Sequence, residues 1–266
     1  MIFTDSLYLR IPMQPRRLLL VLALLTIPAL LSACAEVPKS PEAQAEAQAI
    51  NDPLEPMNRT VFDVNDFLDR LLIRPLTELY RFAIPDYLRD RIANVVANMG
   101  EPVIFANNLM QGKTDSAGIT AQRFLINTTL GVGGIFEVAG DWKLPKQMGD
   151  FGQTLSVWGI NGGPYLVLPL FGPSNFRDGI GMGVDMAMSP WGYIAAYGGN
   201  GDSNRVVYSE FAADGLTQRE QSLDDYDALR NGSLDFYAEM RSVYRQYRDK
   251  QLGIKPENQP TFEDYN

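Results

Sequence analysis

Residues 52–71, DPLEPMNRTVFDVNDFLDRL, decide the fold class. Asp52 can cap a helix, Pro53 suits the first helical position, where no N–H is needed, and Glu55 stands three residues after the cap. Leu54, Met57, Val61, Val64, Leu68 and Leu71 then recur at steps of three and four, which places them on one helix face. Phe62 and Phe67 fall off that face and either contact lipid or the wall of a channel or fill gaps in the core. Arg74-Pro75 predicts a stop, because the residue before a proline is pushed out of the α region.

The same reading extends outward. Residues 76–83 make a short helix. Pro85 opens another with Leu88, Ile92, Val95, Val96 and Met99 inward. Gly100 and Pro102 punctuate, and a helix to Gln111 ends at Gly112, a C′ glycine. Thr114 or Asp115 caps the next helix, to about Leu130. Residues 203–229 and 233–250 read as helices, with Phe236, Met240, Val243 and Tyr247 as the buried stripe of the last. Residues 252–266 read as a loose tail. The sequence has no run of alternating strands and no repeat of 20–50 residues. The expectation is an all-α protein with a single helical domain over residues 52–251.

Composition excludes most chemistry. Lys and Arg number 23 against 32 Asp and Glu, for a formal net charge of −9, which argues against nucleic-acid binding. There is no histidine, so the usual general base, the Ser-His and Cys-His pairs and His-based metal sites are absent. Cys34 is the single cysteine, which removes intrachain disulfides and Cys-rich zinc sites.

The N-terminal segment reads as an address. Residues 18–31, LLLVLALLTIPALL, are uncharged, follow Arg16 and Arg17, and are too short to span a bilayer, but they fit the apolar core of a signal peptide. Met13 is an alternative start to Met1. Leu31-Ser32-Ala33-Cys34 resembles the bacterial lipobox, in which the cysteine is lipidated and becomes the mature N-terminus. Acyl chains hold such a protein on a membrane, and Ala35 resembles the outer-membrane sorting signal. Residues 1–33 are therefore expected to be a lipoprotein signal peptide, and 34–51 the lipidated cysteine and a flexible Ala/Gln/Glu/Pro tether.

The middle of the chain differs from its flanks. Of 23 glycines, 19 lie between Gly112 and Gly201, a stretch with only 11 charged residues. Either it holds a large buried centre with many turns, or part of it meets lipid, where charge is expensive. Gly179, Gly183 and Ala187, spaced by four, are expected to form a small-residue packing face. Ser174 is the expected cap of the helix that follows it. The glycine clusters lack G-x-G-x-x-G spacing, and no Walker sequence or G-x-S-x-G elbow exists. Asp141, Asp150, Asp178 and Asp185 could form a carboxylate pair, but nothing in their spacing selects one. Neither an enzymatic activity, a metal nor a cofactor is expected.

Read in order, DPLEPMNR (52–59), RPL (74–76), NNLMQG (107–112), RFLINTTLGVGG (123–134), DFGQTLSVWG (150–159) and GPYLVLPLFGPS (163–174), followed by Arg177-Asp178, resemble the VacJ/MlaA family of outer-membrane lipoproteins. The blocks cover roughly residues 52–230, leaving the helix after Asn231 outside. The resemblance implies an all-helical, ring-like domain with an amphipathic channel, anchored in the inner leaflet of the bacterial outer membrane. It implies removal of phospholipids mislocalised in the outer leaflet and their transfer to a periplasmic lipid carrier linked to an inner-membrane ABC complex, in association with a trimeric porin. Tyr165, Leu166, Leu168 and Phe171 join Phe62 and Phe67 as candidates for channel or lipid contact. The alternative is a lipid-anchored scaffold that binds porin or peptidoglycan and moves nothing.

Overall fold

The computed structural model describes residues 51–190, 193–194 and 201–254. Helix α1 (Glu55–Leu68) passes through a π-helical turn (Asp69–Ile73) directly into α2 (Arg74–Ala83). α3 (Asp86–Met110) and α4 (Thr114–Thr129) pack against each other, and a one-turn helix α5 (Val138–Asp141) interrupts the loop after them. α6 (Phe151–Val157) leads to a hairpin of β1 (Tyr165–Leu168) and β2 (Gly172–Asn175), then to α7 (Phe176–Met188). α8 (Gly201–Gln221), α9 (Leu223–Gly232) and α10 (Phe236–Leu252) complete the described chain.

Two expected helix breaks are absent. Arg74-Pro75 does not end the first helix. Pro75 lies in the first turn of α2, directly after the π turn, where its missing donor and fixed φ are tolerated and the wider preceding turn leaves room for its ring. α3 likewise runs through Gly100 and Pro102, because packing along α4 outweighs the local penalty. Gly112, by contrast, ends α3 as expected, in the left-handed conformation at φ +72°.

The hairpin was not legible as strands. β1 and β2 are antiparallel, with Tyr165 opposite Asn175 and Leu168 opposite Gly172. The other edge of β1 is closed by α1. The Asn58 amide donates to the Tyr165 carbonyl (3.0 Å) and accepts from the Val167 N–H (2.9 Å). Two helical turns on, Asn65 does the same for the Leu168 carbonyl and the Leu170 N–H, at 2.9 Å each. Both asparagines thus replace a neighbouring strand.

Phe62, Tyr165, Val167 and Tyr237 form the buried apolar cluster, with Val61, Phe236, Met240 and Tyr244 packed against it. Phe62 is 5% exposed and Tyr165 3%, so both are core residues rather than lipid or channel contacts. Phe62 stacks edge-on against Phe236 and Tyr237.

Outside that cluster the polarity of the helices is inverted. Asn58, Phe62, Asp69 and Thr77 are the buried residues of the α1–α2 rod, whereas Val64, Phe67, Leu71, Leu76 and Leu79 are exposed. α3 buries Asn98, Glu101, Asn107 and Asn108 and exposes Leu88. α10 buries Tyr237 and Arg248, while Val243 and Tyr247 of the expected stripe are exposed. Of the expected inward stripes, Val61, Phe236 and Met240 do pack on the cluster, whereas Val64, Leu71, Leu88, Val243 and Tyr247 face outward.

The close approach in the α6–α7 region is also displaced by two residues. A Cβ on Gly183 would meet nothing within 4 Å, and one on Gly179 would make ordinary contact with Leu168. A Cβ on Gly181 would stand 2.4 Å from the backbone nitrogen of Gly152. The seam is therefore Gly181 against Gly152, not Gly179 and Gly183. The cap of α7 is Asn175, whose side chain accepts from the Asp178 N–H, rather than Ser174. Gly181→Ala should cost about 1–3 kcal/mol or more as the backbones are forced apart, while Gly183→Leu should leave the thermal midpoint, followed by circular dichroism in one detergent, nearly unchanged. Equal midpoints for the two variants would refute the seam.

Candidate lipid-facing surface and its polar interior

The interior is held by arginines. Arg248 of α10 forks onto two carboxylates, Asp150 (2.7 Å to each oxygen) and Asp178 (2.8 Å to each oxygen). Asp150 is the N-cap of α6, accepting from the Gln153 N–H, and Asp178 lies in the first turn of α7. Burial works to raise both carboxyls, but Arg248 and their other donors outweigh it and hold both below the ordinary value. Asp178 also accepts from Arg177, Asn175 and the Tyr244 hydroxyl. Burial, then the Asp178 charge and hydrogen bond, push the Tyr244 hydroxyl up. Arg248 thus neutralises carboxylates at two helix N-termini beside the Gly152–Gly181 contact.

The network continues into α3. Asp185 accepts from the Phe151 N–H (2.9 Å) and from Asn107 (2.7 Å), and Asn107 accepts from Thr154 (2.8 Å). Burial dominates at Asp185 and raises its carboxyl. Gln111 donates to Thr154. The aspartates at 150, 178 and 185 therefore serve as helix caps and ion-pair partners, and Asp141 is exposed. Among the described residues no acidic or cysteine cluster could hold a metal ion.

A second hub forms around Arg123 of α4, which is 2% exposed. It donates to Glu101 (3.1 Å), Glu137 (2.6 Å) and the Leu144 carbonyl (2.6 Å). Burial outweighs Arg123 at Glu101 and leaves that carboxyl raised. A third set joins the C-terminal helices to the α1–α2 rod: Arg219 to Asp69 (2.8 Å), Arg230 to Asp66, Arg74 to Asp227 (2.8 Å) and Arg81 to Glu220 (3.2 Å). Arg219 and Arg230 also lie over the Tyr226 ring.

The outside carries the large apolar side chains. Phe67 is 57% exposed, and Phe171, Trp142, Trp158, Ile180 and Met186 are also exposed. Leu166 and Leu168 are half-buried. A surface this rich in large apolar groups is unfavourable in water and matches a hydrocarbon neighbour. No helix among the described residues is long and apolar enough to cross a membrane. Cys34 and the signal segment lie outside the described residues.

A family model described as MlaA lipoprotein matches residues 50–251. The chain belongs to the MlaA lipoprotein family. Its match includes α10, which the motif blocks alone had left outside. The Escherichia coli (strain K12) intermembrane phospholipid transport system lipoprotein MlaA is 31% identical over 222 residues, 81% of this chain and 85% of that one. The Haemophilus influenzae protein of the same name is 32% identical over 202 residues, 74% of this chain and 77% of that one. An uncharacterized protein of Rickettsia felis is 35% identical over 210 residues, 79% and 80% of the two chains. A solved chain described as "Structural basis for maintenance of bacterial outer membrane lipid asymmetry" matches with a TM-score of 0.64 at 33% identity, covering 76% of this chain and 98% of that chain.

The MlaA-like blocks coincide with the polar interior. DPLEPMNR supplies Asn58, NNLMQG supplies Asn107, Asn108 and Gln111, and RFLINTTLGVGG supplies Arg123 and Asn127. DFGQTLSVWG supplies the Asp150 cap, Gly152 and Thr154. The sequence reading missed Arg123, Arg248 and Asn58 as site-forming residues. For Asn58 and Arg123 the available signal was an amide or guanidinium side chain inside a motif block rather than on a solvated face; Arg248 lies outside every block.

Proposed function

We propose that this chain is an outer-membrane lipoprotein that removes mislocalised phospholipids from the outer leaflet and passes them to a periplasmic carrier. The observation that carries the reading is the inverted polarity: buried amides and ion pairs inside, large apolar side chains outside. It is supported by relatives named as intermembrane phospholipid transport lipoproteins. A phospholipid leaving one leaflet must take its polar head past hydrocarbon, at a cost of several kcal/mol or more if the head is bare. A protein with polar groups inside and apolar groups outside lowers that cost while remaining in the bilayer.

In this reading residues 1–33 are removed, acyl chains on Cys34 hold the protein in the inner leaflet of the outer membrane, and 34–51 tether the helical domain. Its partners are phospholipids, a trimeric porin and a periplasmic carrier linked to an inner-membrane ABC complex. Phe67, Leu166, Leu168 and Phe171 are proposed lipid or channel contacts. A deletion strain should accumulate surface phospholipid and become detergent-sensitive, and the intact chain should restore both while Cys34→Ser does not. Unchanged surface phospholipid and detergent resistance in the deletion strain would overturn the transport role in favour of a scaffold.

A further inference from the structure

Between α4 and α6 the chain makes a long excursion, residues 131–150, whose two sides differ sharply. Its underside is fixed to buried polar groups. Arg123 holds Glu137 and the Leu144 carbonyl, and the Asn127 side chain accepts from the Ala139 N–H at 2.9 Å. Gly134 and Gly149 lie close over the side chains of Asn98 and Asn108. Arg91 donates to the Ile135 carbonyl and lies over the Phe136 ring. The upper side exposes Val132, Phe136, Trp142 and Met148. Val132 is presented outward at φ +55°, a conformation β-branched residues avoid, so the loop holds it there against local preference.

The charges on this excursion are of two kinds. Glu137 is neutralised from beneath by Arg123. Lys143 and Lys146 are exposed and make no ion pair among the described residues, whereas the buried arginines Arg123, Arg177 and Arg248 and the half-buried Arg219 and Arg230 are all paired with carboxylates. On the excursion itself Asp141 is the fully exposed carboxylate, and the Lys146 charge also reaches the buried Glu101, where it works to lower the carboxyl. A loop held from beneath, with an outward tryptophan, apolar neighbours and two exposed lysines that make no close ion pair among the described residues, on a chain of net charge −9, complements a surface that is apolar below and anionic above. Tryptophan prefers that boundary, and lysine stems reach from it to phosphate.

We propose that residues 131–148 form an anchor that seats on anionic phospholipid headgroups of the bilayer, with Trp142 at the headgroup boundary and Lys143 and Lys146 on the lipid phosphates. The assignment rests on the reading of the chain as a membrane-resident lipoprotein.

The test uses the full lipidated chain in phosphatidylethanolamine nanodiscs, with Trp158→Phe and Trp191→Phe leaving Trp142 as the sole tryptophan. Dibrominated phosphatidylglycerol should quench Trp142 at least twofold more strongly than dibrominated phosphatidylcholine at equal mole fraction. Lys143→Glu with Lys146→Glu should abolish that difference, as should high salt. Equal quenching by the two lipids in the parent would overturn the charge selection. A second probe, Phe67→Trp with Trp142→Phe, separates the two readings. Quenching at position 67 but not at Trp142 would overturn the anchor and assign the loop to water or to a protein partner. Quenching at neither would overturn both the anchor and the membrane-resident reading.

Discussion

Replacing Arg248 by alanine should destabilise the protein by about 3–5 kcal/mol, the range typical of removing one partner from a buried ion pair. The arginine side chain is only 10% exposed and serves two carboxylates, Asp150 and Asp178. Its loss would leave Asp150 without a counter-charge and Asp178 with Arg177 alone, the two carboxylates side by side next to Gly152. Arg248→Lys keeps the charge but not the fork, so it should fall between the parent and the alanine variant. The acid limb provides an independent check. Because both carboxyls are held below their ordinary value of 3.8, their stabilisation is present above that value and disappears as pH falls through the lower folded values. The alanine variant should lose this acid-sensitive component. Denaturant unfolding in one detergent across pH reads both effects, and a loss under about 1 kcal/mol at neutral pH would show that α10 is held by its apolar face instead.

Arg123→Ala should be comparably severe, about 3–5 kcal/mol, with the opposite response to acid. Glu101 is already raised above its ordinary 4.5 by burial, despite Arg123. Without the guanidinium it would rise further and take up a proton. A carboxyl whose folded pKa is raised favours the folded state when protonated, so this variant should regain stability relative to the parent as pH falls toward that raised value. Glu101→Gln in the Arg123→Ala background should recover part of the loss at neutral pH. No recovery there, and no relative gain in acid, would refute the account of Glu101 as the stranded charge.

Helix content was legible because α1, α3 and α10 carry apolar residues at helical spacing and the start of α4 is marked by Thr114 and Asp115, and the Gly112 terminus followed from left-handed backbone geometry. What sequence could not supply was the side on which the protein lies. Val64 and Leu71 mark a face without saying whether protein or lipid covers it, and the water-soluble default pointed inward. The break expected at Pro75 failed because a π turn precedes it, and such a turn leaves no compositional trace. The hairpin escaped because four-residue strands cannot display alternation, and because Asn58 and Asn65, which complete β1, lie about a hundred residues away from it. The small-residue stripe was located in the correct helix but on the wrong phase, since spacing by four fits Gly179/Gly183 as readily as it misses Gly181.

The two asparagines of α1 have a consequence for how the chain avoids pairing with other chains. An open strand edge offers a row of unpaired amides and carbonyls to any other extended segment, and that is how chains with much exposed apolar surface come to aggregate. Asn58 and Asn65 occupy β1 at the Tyr165 and Val167 and at the Leu168 and Leu170 positions. While α1 is folded, a second polypeptide cannot pair with the β1 edge without first displacing side chains from the same molecule. A chain that carries large apolar side chains outward thus has, in α1, its own guard against mispairing at the β1 edge.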